Sequence, residues 1–349
     1  MTDDRWEEEF AKLVDDHVAG FKHSRDNLEP ALVPAAVELL DIVDLLDSPH
    51  TSGDVVANYL RAQGADDVEI HVETIEGDAG RSTDFLRIVI PGSSGKRAGG
   101  TAPTLGIIGR LGGVGARPEL IGYVSDGDGA ASALSAAAKL LRMKARGDAL
   151  PGDVIVTTHV TGWAPTQPHD PVPFMGSPVD MGTMNTHEVD EQMDAVLSID
   201  TTKGNRTINH RGIAISPTVK EGYILRPSED LVGIVETVTG VPAVVFPLAT
   251  QDITPYGNDL HHLNSILQPA VATTAPVVGV AITTAVPVAG CATGASHEVD
   301  IELAARFAVE TAKYFGAGKV SFHDPEQFAH LVDLYGGAHH LQTLGRQAG

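Results

Sequence analysis

Apolar positions along this chain alternate between two spacings, and the alternation predicts its elements. Residues 32–46 place Val33, Val37, Leu40, Ile42, Val43 and Leu46 at helical spacing, and the helix is expected to stop at the Ser48-Pro49 turn. A second helix is predicted from Asp54 to Gln63, ended by Gly64. VEIHVET (68–74) and FLRIVI (85–90) alternate with period two and are rich in β-formers, so both predict strands. Four short apolar runs then read as buried strands: LGIIG (105–109), DVIVTTHV (153–160), AVLSID (195–200) and VVGVAI (277–282). AVVFP (243–247) reads as one more, and GYV (122–124) as strand-like. Between them lie helical patterns at 130–146, 229–239 and 299–315, and HDPEQFAHLVDLY (323–335) predicts a last helix.

Strands alternating with helices predict an α/β fold: a three-layer α/β/α domain with a mostly parallel central sheet, spanning residues 1–349 as one unit. Residues 161–186 break the pattern. They hold five prolines from Pro165 to Pro178, together with Trp163, Phe174, Met175, Met181 and Met184. A loop of that length with that apolar content is expected to be a lid or an oligomerisation arm, which predicts a homo-oligomer. Residues 340–349, rich in Gly and Gln, are expected to form a disordered tail.

Composition narrows the partners. With 46 acidic against 24 basic side chains the formal charge is −22, which argues against nucleic acid and anionic membranes. The 42% apolar content is enough for a substantial core and excludes an acidic disordered chain. A single cysteine, Cys291, excludes an internal disulfide and Cys-rich zinc modules. The start, MTDDRWEEEF, has no basic and apolar leader pattern, and no run of about 18 apolar residues appears. A cytoplasmic protein acting on a small molecule or short peptide is the expectation.

In open parallel sheets ligands bind beyond the carboxyl ends of the strands. Four groups stand at such ends: Asp126 and Asp128 before the long helix, His159, Asp200, and His297 before the last long helix. Each has a plain alternative. Asp126, Asp128 and His297 precede helices, where they would act as caps; Asp200 would cap a turn; His159 would be a satisfied core histidine. Together they make an Asp/His set without cysteine, suited to zinc, manganese or cobalt, with bound water as nucleophile. Arg110, after LGIIG, suits a substrate carboxylate or an ion pair with one of the many acids. IGRLGGVG lacks dinucleotide-binding spacing, and THEVDE is not a zinc-helix motif. Among His261, His262 and Asp259, at most one of the adjacent histidines is expected to face a ligand.

These segments resemble the di-zinc exopeptidase superfamily, which includes glutamyl and leucyl aminopeptidases and related deacylases. LLDSPHTSGDVVANYLRAQG followed by DFLRIVIPG is similar to its opening. SDGDGAASALSAAAKLL resembles the segment whose Asp bridges two metals, and AVLSIDTTKGN the strand whose terminal Asp binds one zinc. RGIAISPTVKEGYILRPSEDLVGIVE, YGNDLHHLNS and VVGVAITTAVPVAGCATGASHEVDIELAARF follow in the same order, so the likeness runs over residues 36–315. The chain also resembles a bacterial family described only as of unknown function.

The resemblance implies roles. Asp126 takes the place of the bridging carboxylate, Asp200 that of a carboxylate ligand, and His297 that of the last histidine. His159 falls roughly where the family keeps a Glu-Glu pair. The family's His-x-Asp is missing, since IIGRLGGVG offers only Arg110 at that place. His169-Asp170 and His187-Glu188 are the replacement candidates, and Asp128, His169, Glu188 and Arg110 are the expected catalytic groups. The implied activity is a metal-dependent hydrolase of an amide bond in a small peptide or acylated amino acid, using one or two divalent ions, with zinc first. The alternatives are a non-peptidase ligand-binding or inactive homologue, or a metal lyase or isomerase.

Overall fold

A computed structural model describes residues 35–64, 66–168, 174–203, 208–248, 265–288 and 293–343. Its strands are β1 (Glu69–Glu76), β2 (Ser82–Ile90), β3 (Leu105–Gly109), β4 (Val154–Val160), β5 (Thr166–Gln167), β6 (Phe174–Met175), β7 (Ala195–Thr202), β8 (Gly212–Ile215), β9 (Val219–Lys220), β10 (Tyr223–Ile224) and β11 (Val277–Thr283). Nine of them form one sheet in the order β1-β2-β4-β3-β7-β11-β9-β10, with β8 also on β11. The centre, β4-β3-β7-β11, is parallel. Both flanks are antiparallel. The predicted parallel character therefore holds at the centre, where β3, β4, β7 and β11 are buried along their whole length or nearly so.

The helices are α1 (Ala36–Asp47), α2 (Gly53–Arg61), α3 (Asp128–Ala145), α4 (Met181–Glu188), α5 (Glu229–Thr239), α6 (Glu298–Gly316) and α7 (Pro325–Tyr335). Side chains of a strand alternate between faces. Ile107, Val156, Leu197 and Val280 point to one face and share a continuous core with α1, α2, α3, α5 and α6. Ile108, Ile155, Val196 and Ala281 point to the other, where they meet Phe246, Ile266 and Leu267. On that second face the described cover is the 3₁₀ turn Ser265–Val271 and the short α4. That is less than the third layer the sequence predicts.

Local chemistry explains the boundaries. α1 ends at Ser48, which is extended. Pro49 disfavours helical backbone in the residue before it. α2 begins at Gly53 because Ser52 caps it, its side chain accepting the Val55 N–H at 3.3 Å. α5 is capped by Ser228 and closed by Gly240 in the left-handed conformation.

Three expectations are corrected. Residues 243–247 form no strand, only a single bridge between Val245 and Ile215. Residues 122–124 are a loop. The described part of 161–186 is not loop throughout: it contains the β5–β6 ribbon and the first turns of α4. Met175 and Met184 are buried in the chain's own interior, while Trp163 is half exposed. The tail is partly ordered, since His339–Leu341 form a 3₁₀ turn and the Gln342 side chain donates to the Thr273 carbonyl. Residues 344–349 lie outside the described residues.

Gly129, in the first turn of α3, shows how tightly that helix meets the sheet. A Cβ there would lie 2.4 Å from the Arg110 carbonyl oxygen and 2.6 Å from that of Ile199. Glycine is needed because backbone stands against backbone. Gly129→Ala is expected to lower stability by about 1–3 kcal/mol through overpacking. Urea unfolding at neutral pH reads this, and a midpoint equal to that of the unsubstituted chain would refute the close approach.

Candidate functional site

Two groups of buried polar side chains stand at the carboxyl ends of the parallel strands. The first lies on the second face of the sheet. Thr157 and His159 are two apart on β4 and so share that face. The Thr157 hydroxyl donates to the Glu188 carbonyl at 2.7 Å, which docks the last residue of α4 on the strand. Glu188 then turns its carboxylate to His159, Oε1 to Nδ1 at 2.5 Å, and to Arg110 Nη1. His159 and Glu188 are wholly buried and Arg110 nearly so. Burial alone would raise the Glu188 pKa. The Arg110 guanidinium and His159 outweigh it and hold the carboxyl below its ordinary value.

An ionised carboxylate only accepts, so Nδ1 of His159 carries the proton and, in the neutral ring, Nε2 keeps its lone pair. That Nε2 is buried with no hydrogen-bond partner. Phe85 packs beside the ring at 5.2 Å between centroids and stacks on His187 at 4.6 Å. His159 is thus not a satisfied core histidine.

The second group gathers where α3 begins, β7 ends and α6 begins. Asp128 is wholly buried. Its Oδ2 accepts from Lys203 Nζ at 2.5 Å, and its Oδ1 from Ser296 Oγ at 2.6 Å and Tyr123 Oη at 3.3 Å. Burial pushes the Asp128 pKa up against the opposing pull of Lys203, Ser296 and Tyr123. Burial and then the Asp128 charge push the Tyr123 phenol well above its ordinary value.

The remaining candidates are placed as follows. Asp126 sits in the 3₁₀ turn Ser125–Gly127, and its Oδ2 accepts the N–H groups of Gly112 and Gly113 at 2.6 and 2.9 Å. Neither Asp126 nor Asp128 caps α3, whose N-cap is Gly127 without a side-chain bond. Those bonds of Asp126 hold the loop that follows β3, where the resemblance expected His-x-Asp. Asp200, in β7, accepts the N–H of the next residue, Thr201, at 2.7 Å. His297 is at the N-cap position of α6 without capping it, and its ring is 44% exposed. Its Nδ1 lies 3.9 Å from Asp300 Oδ2 and has no hydrogen-bond partner. His187 instead faces Glu73, at 3.2 Å. His169, Asp170, Asp259, His261, His262 and Cys291 lie outside the described residues.

Backbone contacts tie the two groups together. The Arg110 N–H donates to the Ile199 carbonyl at 2.8 Å, beside Asp200, and the Ser125 N–H to the Thr293 carbonyl at 2.8 Å, ahead of His297. Sequence reasoning missed Lys203, Ser296 and Tyr123. The signal for Lys203 was present: a lysine just past an apolar strand that ends in Asp.

The implied ion can be tested against these donors. Nε2 of His159 and Nδ1 of His297 are open nitrogens of the kind an ion takes. Yet among the described residues no three His, Cys, Asp or Glu side chains come together around one point. The buried acids Asp128 and Glu188 are already met by Lys203 and Arg110. The described residues therefore do not fit a metal centre. Among them, too, no helix is long and apolar enough to cross a membrane.

A family model described as "Protein of unknown function (DUF1177)" matches residues 73–345, well over half of the sequence. The chain belongs to the DUF1177 family. No curated protein matches this DUF1177 protein. Solved structures with some likeness include the bottromycin maturation enzyme BotP in complex with Mn, at 14% identity and TM-score 0.47, covering 80% of this chain and 70% of that one. Glutaminyl cyclase from Porphyromonas gingivalis has 14% identity and TM-score 0.46, over 81% and 97% of the two chains. A Zn-dependent exopeptidase from Parabacteroides distasonis has 13% identity and TM-score 0.44, over 80% and 96%. Likenesses this distant carry no weight for the activity of the DUF1177 chain.

Glu188→Gln tests the first group. It leaves Arg110 buried without its counter-charge, which costs about 3–5 kcal/mol at neutral pH. Because the folded pKa of Glu188 is depressed, its contribution is full above the ordinary value of 4.5 and is lost as pH falls through the lower folded value. The stability gap to the unsubstituted chain should therefore be widest at neutral pH and narrow below 4.5. Urea midpoints at several pH values measure it, and a gap that widens on acidification would reject the ion pair.

Proposed function

We propose that this DUF1177 protein hydrolyses an amide bond in a small peptide or acylated amino acid, with His159 as the group that moves the proton. One observation carries the reading: a buried imidazole whose Nδ1 is fixed on Glu188, itself clamped by Arg110, while the buried Nε2 has no hydrogen-bond partner. A carboxylate that orients an imidazole and stabilises its charged form makes the opposite nitrogen a base. Nε2 takes a proton from water as the water oxygen bonds to the amide carbon. The proton then passes to the leaving nitrogen as the C–N bond breaks. Arg110 and Glu188 are positioning residues here. A divalent ion, zinc or else manganese or cobalt, would join this reading only through donors beyond the described set, so no step is routed through one.

A second reading is a ligand-binding homologue without turnover. The Lys203–Asp128 and Arg110–Glu188 pairs favour it, because charges already balanced inside the chain need no catalytic partner.

Amine release from a panel of dipeptides and N-acyl amino acids separates the two. His159→Gln is expected to lower kcat/KM by about 10²-fold or more, with the far-ultraviolet circular dichroism unchanged. Turnover that survives the substitution would reject His159. A ligand that raises the melting temperature with no product formed would favour binding alone.

A further inference from the structure

We propose that the cavity at the amino ends of β7 and β11 binds a free α-amino acid with a large apolar side chain, its ammonium met by Glu191 and its carboxylate by Lys220. The site stands at the other end of the parallel strands from His159 and does not depend on the proposed hydrolysis.

A cavity of about 440 Å³ opens there, between the residues that lead into the two strands and the connection from α6 to α7. That is the size of a small-molecule pocket. Met193 and Asp194 directly precede β7, and Thr274 and Pro276 precede β11. At about 3.3 Å per residue, Ala195 at the head of β7 is roughly 17 Å from Asp200 at the opposite edge. The connection that forms the far wall is held by its own bonds. The Ser228 hydroxyl donates to the Ser321 carbonyl at 2.6 Å, the Ser321 N–H to Asp230 at 2.8 Å, and the Thr218 hydroxyl to the Phe322 carbonyl.

The lining combines three chemistries. Phe315 and Phe322 meet edge to face at 5.2 Å between centroids and, with the buried Met193, form an apolar floor. Glu191 supplies a carboxylate that has no partner among the described residues, whereas Asp194 is already held by Lys96 at 2.8 Å. Lys220 supplies a cation. Its ammonium gives two of its three N–H donors to Glu221, at 2.9 Å, and to the Thr274 carbonyl, so one remains. The Phe328 ring, 4.8 Å away, helps to hold it in place. Burial and then the Lys220 charge lower the His323 pKa, so its ring is neutral at neutral pH. Lys220 is therefore the one cation of the described lining. A bare amine would meet Glu191 but face the Lys220 ammonium unbalanced. A bare acid would meet Lys220 but be repelled by Glu191 and by a chain of charge −22. A zwitterion with an apolar side chain satisfies all three parts.

L-Leucine titrated into the full chain in a calorimeter at neutral pH tests this, and one equivalent should bind. Isoamylamine, 4-methylpentanoate and glycine each lack one of the three groups. Each should bind at least about tenfold more weakly than leucine. Glu191→Gln and Lys220→Gln should each weaken leucine about tenfold, while His159→Gln leaves it within about twofold. Should Lys220→Gln fail to fold, the Glu191 variant and the ligand series decide. No binding of leucine at about 10 mM would overturn the proposal. So would an amine or acid that binds as tightly as leucine, or a Glu191→Gln protein of unchanged affinity. A tenfold loss in His159→Gln would place leucine at the carboxyl edge instead and reject this site. These readouts involve no turnover, so they can fail while the His159 reading stands, and the reverse.

Discussion

Burying a carboxylate against a parallel sheet costs several kcal/mol unless a donor or cation meets it, and the carboxyl edge of this sheet is organised by that demand. The edge is where strand carbonyls and helix N–H groups converge, and this chain places Asp126, Asp128, Glu188 and Asp200 there with little or no solvent exposure. Lys203 answers Asp128, and Arg110 answers Glu188. Backbone N–H groups answer Asp126 and Asp200. Those partners fix the starts of α3 and α6, the end of α4, the loop after β3 and Lys203 just past β7. The same polar bonds that satisfy the acids therefore set the positions of five chain segments.

Glycine makes the arrangement sterically possible. Asp126 can reach two consecutive N–H groups because Gly112 has no Cβ, which would come within 2.8 Å of Oδ2. Gly129 lets α3 start against the carbonyls of Arg110 and Ile199. A run such as LGGVG, which is unremarkable as a motif, is here a surface that lets side-chain oxygen approach backbone nitrogen. Small residues and buried acids are two halves of one device.

The fold was readable in the sequence where burial is two-sided. LGIIG, DVIVTTHV, AVLSID and VVGVAI are continuous apolar runs, and each is a central strand within two residues of its predicted ends. AVVFP has the same composition but forms only a bridge, because strand formation needs a paired neighbour that composition does not report. The two-residue strands β9 and β10 are too short to leave a periodic trace. At the site, Asp128, His159, Glu188 and Arg110 were legible as polar residues at strand or helix ends. Their pairing was not, since the partners of His159 and Asp128 lie 29 and 75 residues away and depend on register. Reading Asp126 and Asp128 as helix caps failed because Gly127 holds the cap position, and both acids turn to tertiary partners instead.

The satisfied acids change the meaning of the two open histidine nitrogens. Leaving a buried polar atom unpaired costs about 1–3 kcal/mol, and Asp126, Asp128, Glu188 and Asp200 each have a donor where the His159 Nε2 has none. Turning the ring would not recover the loss, because Nδ1 would leave Glu188 Oε1 and a buried carboxylate oxygen would lose its donor, although Oε2 stays on Arg110. The open Nε2 is thus the consequence of holding Nδ1, and the cost is borne by the Arg110–Glu188 clamp. His297 differs: its ring is partly exposed, and a shift of under an ångström would bring Nδ1 within reach of Asp300. Of the two, only His159 is held open by its surroundings, and that is the physical ground for assigning it the chemistry.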